Sequence, residues 1–183
     1  MAEYSMKTPL KPEDVDKLRA GDTVNLNGFI YTARDAAHKK LVDLIKEGKP
    51  LPLPLDGEVI YYVGPSPTPP GKAIGSAGPT TSFRMDPYAP ILIERGLRGM
   101  IGKGERAAGV VEAMQKFGAV YFAATGGAAA LLSKRITKAE IIAYPELGAE
   151  AISRLTVENF PVIVAQDCHG GNTYRDGQKQ YAR

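Results

Sequence analysis

With 183 residues, 44% of them hydrophobic and 23% charged, the chain can bury one substantial core, and its composition excludes collagen-like and disordered classes. Lys and Arg exceed Asp and Glu only by 23 to 20 and are scattered, which argues against nucleic-acid binding, and no apolar run nears the roughly 18 residues of a membrane span. A single cysteine, Cys168, and two histidines, His38 and His169, exclude an intrachain disulfide and supply too few ligands for a zinc or iron–sulfur site within the chain.

One domain over 1–183 is expected. The first residues lack the apolar stretch of a signal peptide, which points to a cytoplasmic location. Leu10-Lys11-Pro12-Glu13-Asp14-Val15 opens a short helix that ends at Arg19-Ala20-Gly21-Asp22. Residues 23–31 then alternate polar and apolar, as a half-buried strand does. From Arg34 the period turns helical, with Ala37, Leu41, Leu44 and Ile45 as the apolar stripe and Gly48-Lys49-Pro50 as the stop, so Arg34 lies at a strand-to-helix junction. Residues 51–55 alternate with prolines and are too poor in donors for a central strand, whereas 59–63 read as a buried one. A long connection follows over 64–79, with prolines at 65, 67, 69 and 70, and connections of this length tend to carry function.

The stretch Gly78-Pro79-Thr80-Thr81-Ser82-Phe83-Arg84-Met85-Asp86 places two hydroxyls and a guanidinium behind a turn-forming pair. Thr80 or Thr81 can cap the helix that follows, whose free N–H groups attract an anion, and Arg84 one turn in can fork onto a carboxylate. An ordinary N-cap with a surface arginine is the structural alternative. That helix runs toward Arg95-Gly96, and 99–104 read as a short strand ending in the glycine-flanked Lys103. Residues 106–117 form an amphipathic helix stopped by Gly118, followed by a strand at 120–123, the turn Thr125-Gly126-Gly127-Ala128 and a short helix through Leu132. Close packing explains that turn better than anion binding does. Further strands at 136–144 and 160–165 complete a mixed α/β pattern.

The motifs Gly21-Asp22-x-Val24, Tyr31-Thr32-Ala33-Arg34-Asp35-Ala36-Ala37-His38, Gly78-Pro79-Thr80-Thr81-x-x-Arg84-Met85-Asp86, Gly102-Lys103-Gly104, Thr125-Gly126-Gly127-x-Ala129-Ala130 and Tyr144-Pro145-Glu146-Leu147-Gly148-x-Glu150-Ala151 occur in this order. In them the chain resembles, nearly end to end, the β subunit of two-subunit class I fumarase and L-tartrate dehydratase, equivalent to the C-terminal domain of single-chain class I fumarases. The resemblance implies a swivelling β/β/α domain and a hetero-oligomer with a larger α subunit. That partner carries a [4Fe-4S] cluster on three cysteines, with one iron open to act as a Lewis acid on the substrate's hydroxyl and carboxylate. It further implies that Arg34, Arg84 and Lys103, with Thr81, hold a C4 dicarboxylate and that Thr80 stands beside the reacting carbon as candidate base. A threonine hydroxyl is a weak base at neutral pH, so it needs an activating group from outside this chain.

Asp35 and Asp86 neighbour the two arginines and either orient them or serve as helix-start acids. His38, one turn beyond Arg34, reads as a satisfied helix histidine, with support of the site as the second reading. The implied reaction is reversible hydration of fumarate to (S)-malate. Conversion of L-tartrate to oxaloacetate, or a non-catalytic dicarboxylate-binding module, are the alternatives. Two departures from the family pattern stand out. Ser82-Phe83 occupies a place where small residues are usual, so the ring either reshapes the pocket or packs under the helix. Asp167-Cys168-His169-Gly170-Gly171-Asn172 replaces an acidic, lysine-bearing turn. Neighbours on a strand point to opposite faces, which disfavours a Cys168–His169 nucleophile.

Overall fold

In the computed structural model, which describes residues 1–124 and 127–181, the elements are β1 (Glu3–Lys7), α1 (Pro12–Asp16), β2 (Thr23–Thr32), α2 (Asp35–Lys46), β3 (Val59–Tyr61), α3 (Ala89–Glu94), β4 (Gly99–Gly102), α4 (Ala108–Phe117), β5 (Val120–Ala123), α5 (Ala129–Ser133), β6 (Ile136–Ala143), β7 (Ile152–Gln166) and α6 (Thr173–Tyr181). The sheet order is β1-β2-β3-β4-β5-β7-β6, and β7 also pairs back onto β2. That second pairing closes β2, β3, β4, β5 and β7 into a small barrel. Neighbours from β1 to β5 run parallel, while β7 is antiparallel to β2, β5 and β6. Barrel and helices together form the mixed α/β, swivelling β/β/α architecture.

Period-2 alternation divides the core into two parts. Leu26, Ile30, Tyr61, Phe122, Phe160 and Val164 fill the barrel, whereas Ile60, Tyr62, Met100 and Tyr121 point outward to meet Leu41 of α2, Leu92 of α3 and Met114 of α4. Strands covered on both faces read as continuous apolar runs, and β3 and β4 are buried at every residue.

Several expectations change. The helix expected from the threonine pair to Arg95 is two pieces, a 3₁₀ turn at Ser82–Met85 and then α3. Pro87 and Pro90 lack N–H donors, and the bonds across the junction, Asp86 N to Phe83 O and Tyr88 N to Met85 O, span three residues instead of four. The strand expected at 160–165 begins at Ile152. Its polar first half is kept in the sheet by pairing with both β2 and β6, and the strand bends at Asn159, whose φ is 47°. Strand β1 and helix α6 had no expectation attached to them. Thr125 and Gly126 of the expected small-residue turn lie outside the described residues. Among the described residues, no helix is long and apolar enough to cross a membrane.

Candidate functional site

Parallel pairing aims the carboxyl ends of β2, β3 and β4 at one rim of the barrel, where ligands of parallel sheets commonly bind. Arg34 follows β2 as the N-cap residue of α2, and Lys103 directly follows β4. The long connection after β3 returns to the same rim, where Thr80 donates its N–H to Tyr62 O at 2.7 Å. Thr81 then bridges in parallel to Lys103, and Ser82 N donates to Lys103 O at 2.9 Å. These bonds hold Thr80, Thr81 and Lys103 side by side as a short extension of the sheet.

Thr81 stands at the N-cap of the 3₁₀ turn, yet its hydroxyl makes no capping hydrogen bond, while the Ser82 N–H goes to Lys103. The capping expectation is thereby corrected. Among the described residues neither the Thr80 nor the Thr81 hydroxyl is engaged in a hydrogen bond, which leaves both available to a ligand.

The two arginines are each held by a carboxylate. Arg84 Nη2 lies 2.8 Å from Asp35 Oδ2, and Arg34 Nη2 lies 3.1 Å from Glu150 Oε1. Asp35 lies farther from its neighbour Arg34, at 3.9 Å, so of the two arginines it chiefly orients Arg84. On its other side Arg34 meets Gly64, where an added Cβ would come within 2.6 Å of Nη1. Arg84 and Lys103 are exposed on the rim, whereas Arg34 is partly covered.

Asp86 orients a different arginine from the expected one. It accepts from Arg106 Nε and from Ala107 N–H, both at 2.7 Å, and Arg106 is buried between the rings of Tyr62 and Tyr121. Sequence reasoning missed Arg106, since a basic residue at a helix start carries no mark of burial. His38 is wholly buried, with Nδ1 2.9 Å from Arg34 O and its ring edge-on to Tyr62. Burial, helped by the nearby Arg106 charge, lowers its pKa from 6.5 to about 4, so it is neutral at physiological pH.

Phe83 does not pack under the helix, being 64% exposed beside Arg84. Ser82 takes the buried place instead, with Oγ 2.8 Å from the Tyr121 hydroxyl, and Tyr121 in turn donates to Gly104 O at 2.8 Å. Its small side chain packs directly on Gly102, which has no room for a Cβ.

Cys168 and His169 lie in a turn beyond β7, not on a strand, and both reach toward α1, which overturns the opposite-faces argument. Asp167 folds this turn by accepting from the N–H groups of His169 and Gly171. The Cys168 sulfur, the His169 ring and the Asp16 carboxylate lie within 4.8 Å of one another, but His169 Nε2 is occupied by Asp16 O at 2.8 Å. Burial, with the Asp167 and Asp16 charges, pushes the Cys168 thiol up, away from the thiolate a nucleophile needs. This turn borders Arg98 and Gly118 at the amino ends of β4 and β5, opposite the rim that carries Arg34 and Lys103. An iron–sulfur cluster requires several thiolates, and one cysteine at the wrong end of the barrel does not fit it. What the rim offers is a group of cations beside free hydroxyls.

Residues 2–177 match the family model described as fumarase C-terminus. Fumarate hydratase 2 of Leishmania major is 40% identical over 183 residues, covering 95% of this chain and 32% of that protein. The anaerobic class I fumarate hydratase of Escherichia coli is 43% identical over 154 residues, covering 83% of this chain and 28% of its own length. The putative L(+)-tartrate dehydratase subunit beta of Methanocaldococcus jannaschii is 39% identical over 188 residues, with 97% of this chain and 94% of that subunit covered. The chain thus spans about a third of these fumarate hydratases and nearly the whole of the tartrate dehydratase subunit.

Proposed function

The chain belongs to the fumarase C-terminus family of class I fumarate hydratases and tartrate dehydratases, and from that premise we propose that it is the substrate-gripping β subunit of a hydro-lyase that hydrates fumarate to (S)-malate. One observation carries this reading: Arg34, Arg84 and Lys103 share a rim with the free hydroxyl of Thr80. A four-carbon diacid has two carboxylates, and several fixed cations match it. The guanidiniums take a carboxylate through their forks, and Lys103 adds a point charge. The same donors stabilise the charge that gathers on a carboxylate when the adjacent carbon loses its proton. Thr80 sits at the reacting carbon and handles that proton once a partner group activates its hydroxyl. The [4Fe-4S] cluster belongs to a partner α subunit that closes over the exposed rim. The complex is accordingly a hetero-oligomer working in the cytoplasm, with the whole chain acting as one domain.

The second reading is the β subunit of an L-tartrate dehydratase, favoured by the nearly full-length match to such a subunit. Tartrate and malate differ by one hydroxyl, which the same cations accommodate. An anaerobic assay of the chain co-produced with its cluster-bearing partner, on fumarate, malate and L-tartrate with either subunit omitted, tests both. Turnover of fumarate that needs both chains is expected. Preference for tartrate selects the second reading, and inactivity on all three with an intact cluster rejects both.

A further inference from the structure

We infer that Glu150 is a positioning residue for substrate binding, fixing the guanidinium of Arg34 from the connection between β6 and β7; the inference rests on the hydro-lyase reading above. Its two carboxylate oxygens do separate work. Oε1 lies 3.1 Å from Arg34 Nη2, and Oε2 accepts the Ala36 N–H at 3.2 Å in the first turn of α2. The same side chain therefore sets both the arginine and the helix start from which that arginine projects.

The connection is itself strapped to this region. It enters through Tyr144, whose φ of 56° is left-handed for a residue with a side chain, and turns again at Gly148. Lys40 of α2 reaches Glu146 at 3.3 Å and lies 4.8 Å above the Tyr144 ring. Beyond Glu150, Ala151 O accepts from Thr32 Oγ1 at 3.2 Å, and that hydroxyl oxygen accepts from Ser153 N–H at 2.9 Å. Glu150 is thus delivered to Arg34 by backbone anchored on both sides.

The guanidinium is held but not fully matched. Among the described residues its Nη2 meets Glu150 and lies 3.9 Å from Asp35 Oδ1, Nη1 lies against Gly64, and Nε is buried without a hydrogen-bond partner. A buried donor left unmatched marks a place where the hydrogen bonding is incomplete. Glu150 and Gly64 hold the fork in one orientation with donors to spare, the state in which it accepts an incoming carboxylate without reorganising.

A double-mutant cycle in the assembled two-subunit enzyme tests the role. Glu150→Ala is expected to lower kcat/KM by about 10- to 100-fold, mostly through KM, the size of one lost charge-assisted contact. In an Arg34→Gln background the same change is expected to add less than about twofold, because the residue it acts through is gone. Glu150→Gln, which keeps one acceptor oxygen, falls between. Equal losses in both backgrounds, or a loss confined to kcat that tracks a lowered Tm, would reduce Glu150 to a cap of α2 and overturn the inference. If the wild-type complex turns over none of the three substrates, the hydro-lyase reading falls and this inference falls with it.

Discussion

A guanidinium at the solvent edge must be held still before it can recognise a carboxylate, and Asp35 does this for Arg84 from the first turn of α2. Arg84→Ala is expected to lower kcat/KM of the assembled complex by about 10- to 100-fold, matching the roughly 1.5–3 kcal/mol of a hydrogen bond to a charged group. Co-elution with the partner should be unchanged, and near-normal turnover would remove Arg84 from the site. Thr80→Ala should reduce kcat far more than it moves KM, since its hydroxyl is assigned to the reacting carbon and not to carboxylate binding. Steady-state kinetics on the same complex separates the two effects. The places of Arg34, Thr80, Arg84 and Lys103, each just after a strand or a Gly-Pro break, were legible in the sequence, whereas their roles came from the family resemblance and belong to the proposed function. Glu150 lay inside a quoted motif without an assigned role. Arg106 was not legible at all, since its burial depends on Asp86, twenty residues upstream, and on two tyrosines from separate strands.

At the level of elements, the Asp86–Arg106 pair fastens the 3₁₀ turn that carries Arg84 to the start of α4. Asp86→Ala strands a buried guanidinium and is expected to cost about 3–5 kcal/mol in urea unfolding. Replacing both residues, as Asp86→Ala with Arg106→Met, should cost much less, because no uncompensated charge remains. A double variant as unstable as the single one would show that the turn depends on something other than this pair. Elements with a clear period, such as α2, α4, β2 and β5, were readable from the chain alone. The proline-split helix was not, because Ala89, Leu92 and Ile93 keep a helical apolar stripe that hides the break at Pro87. The first half of β7 was hidden for the opposite reason. Ser153, Arg154, Thr156 and Glu158 look like loop residues until β6 and β2 supply their partners.

For the molecule as a whole, two buried groups set opposing responses to pH. Burial lowers His38 from 6.5 to about 4, so the unfolded chain binds the extra proton and stability falls as pH drops through this window, by about 3 kcal/mol in all. Glu58, raised by burial from 4.5 to about 7, acts the other way: the folded state keeps its proton, and that contribution is lost as pH rises through 7. Between pH 4.5 and 6.5 the two slopes offset each other. Glu58→Gln should therefore stabilise the chain above pH 7 and steepen its loss of stability on acidification, as read by urea midpoints across the range. An unchanged pH profile would show that Glu58 is solvated in the folded state. The barrel's closing seam bears on how the chain reaches this state. Because β7 follows every other strand in the chain and is the one that joins β5 back to β2, β2 must wait with an unpaired edge while more than a hundred residues emerge from the ribosome. Closure is then a late, long-range event, slow by its contact order, and the waiting edge of β2 is the surface that folding helpers have most reason to shield.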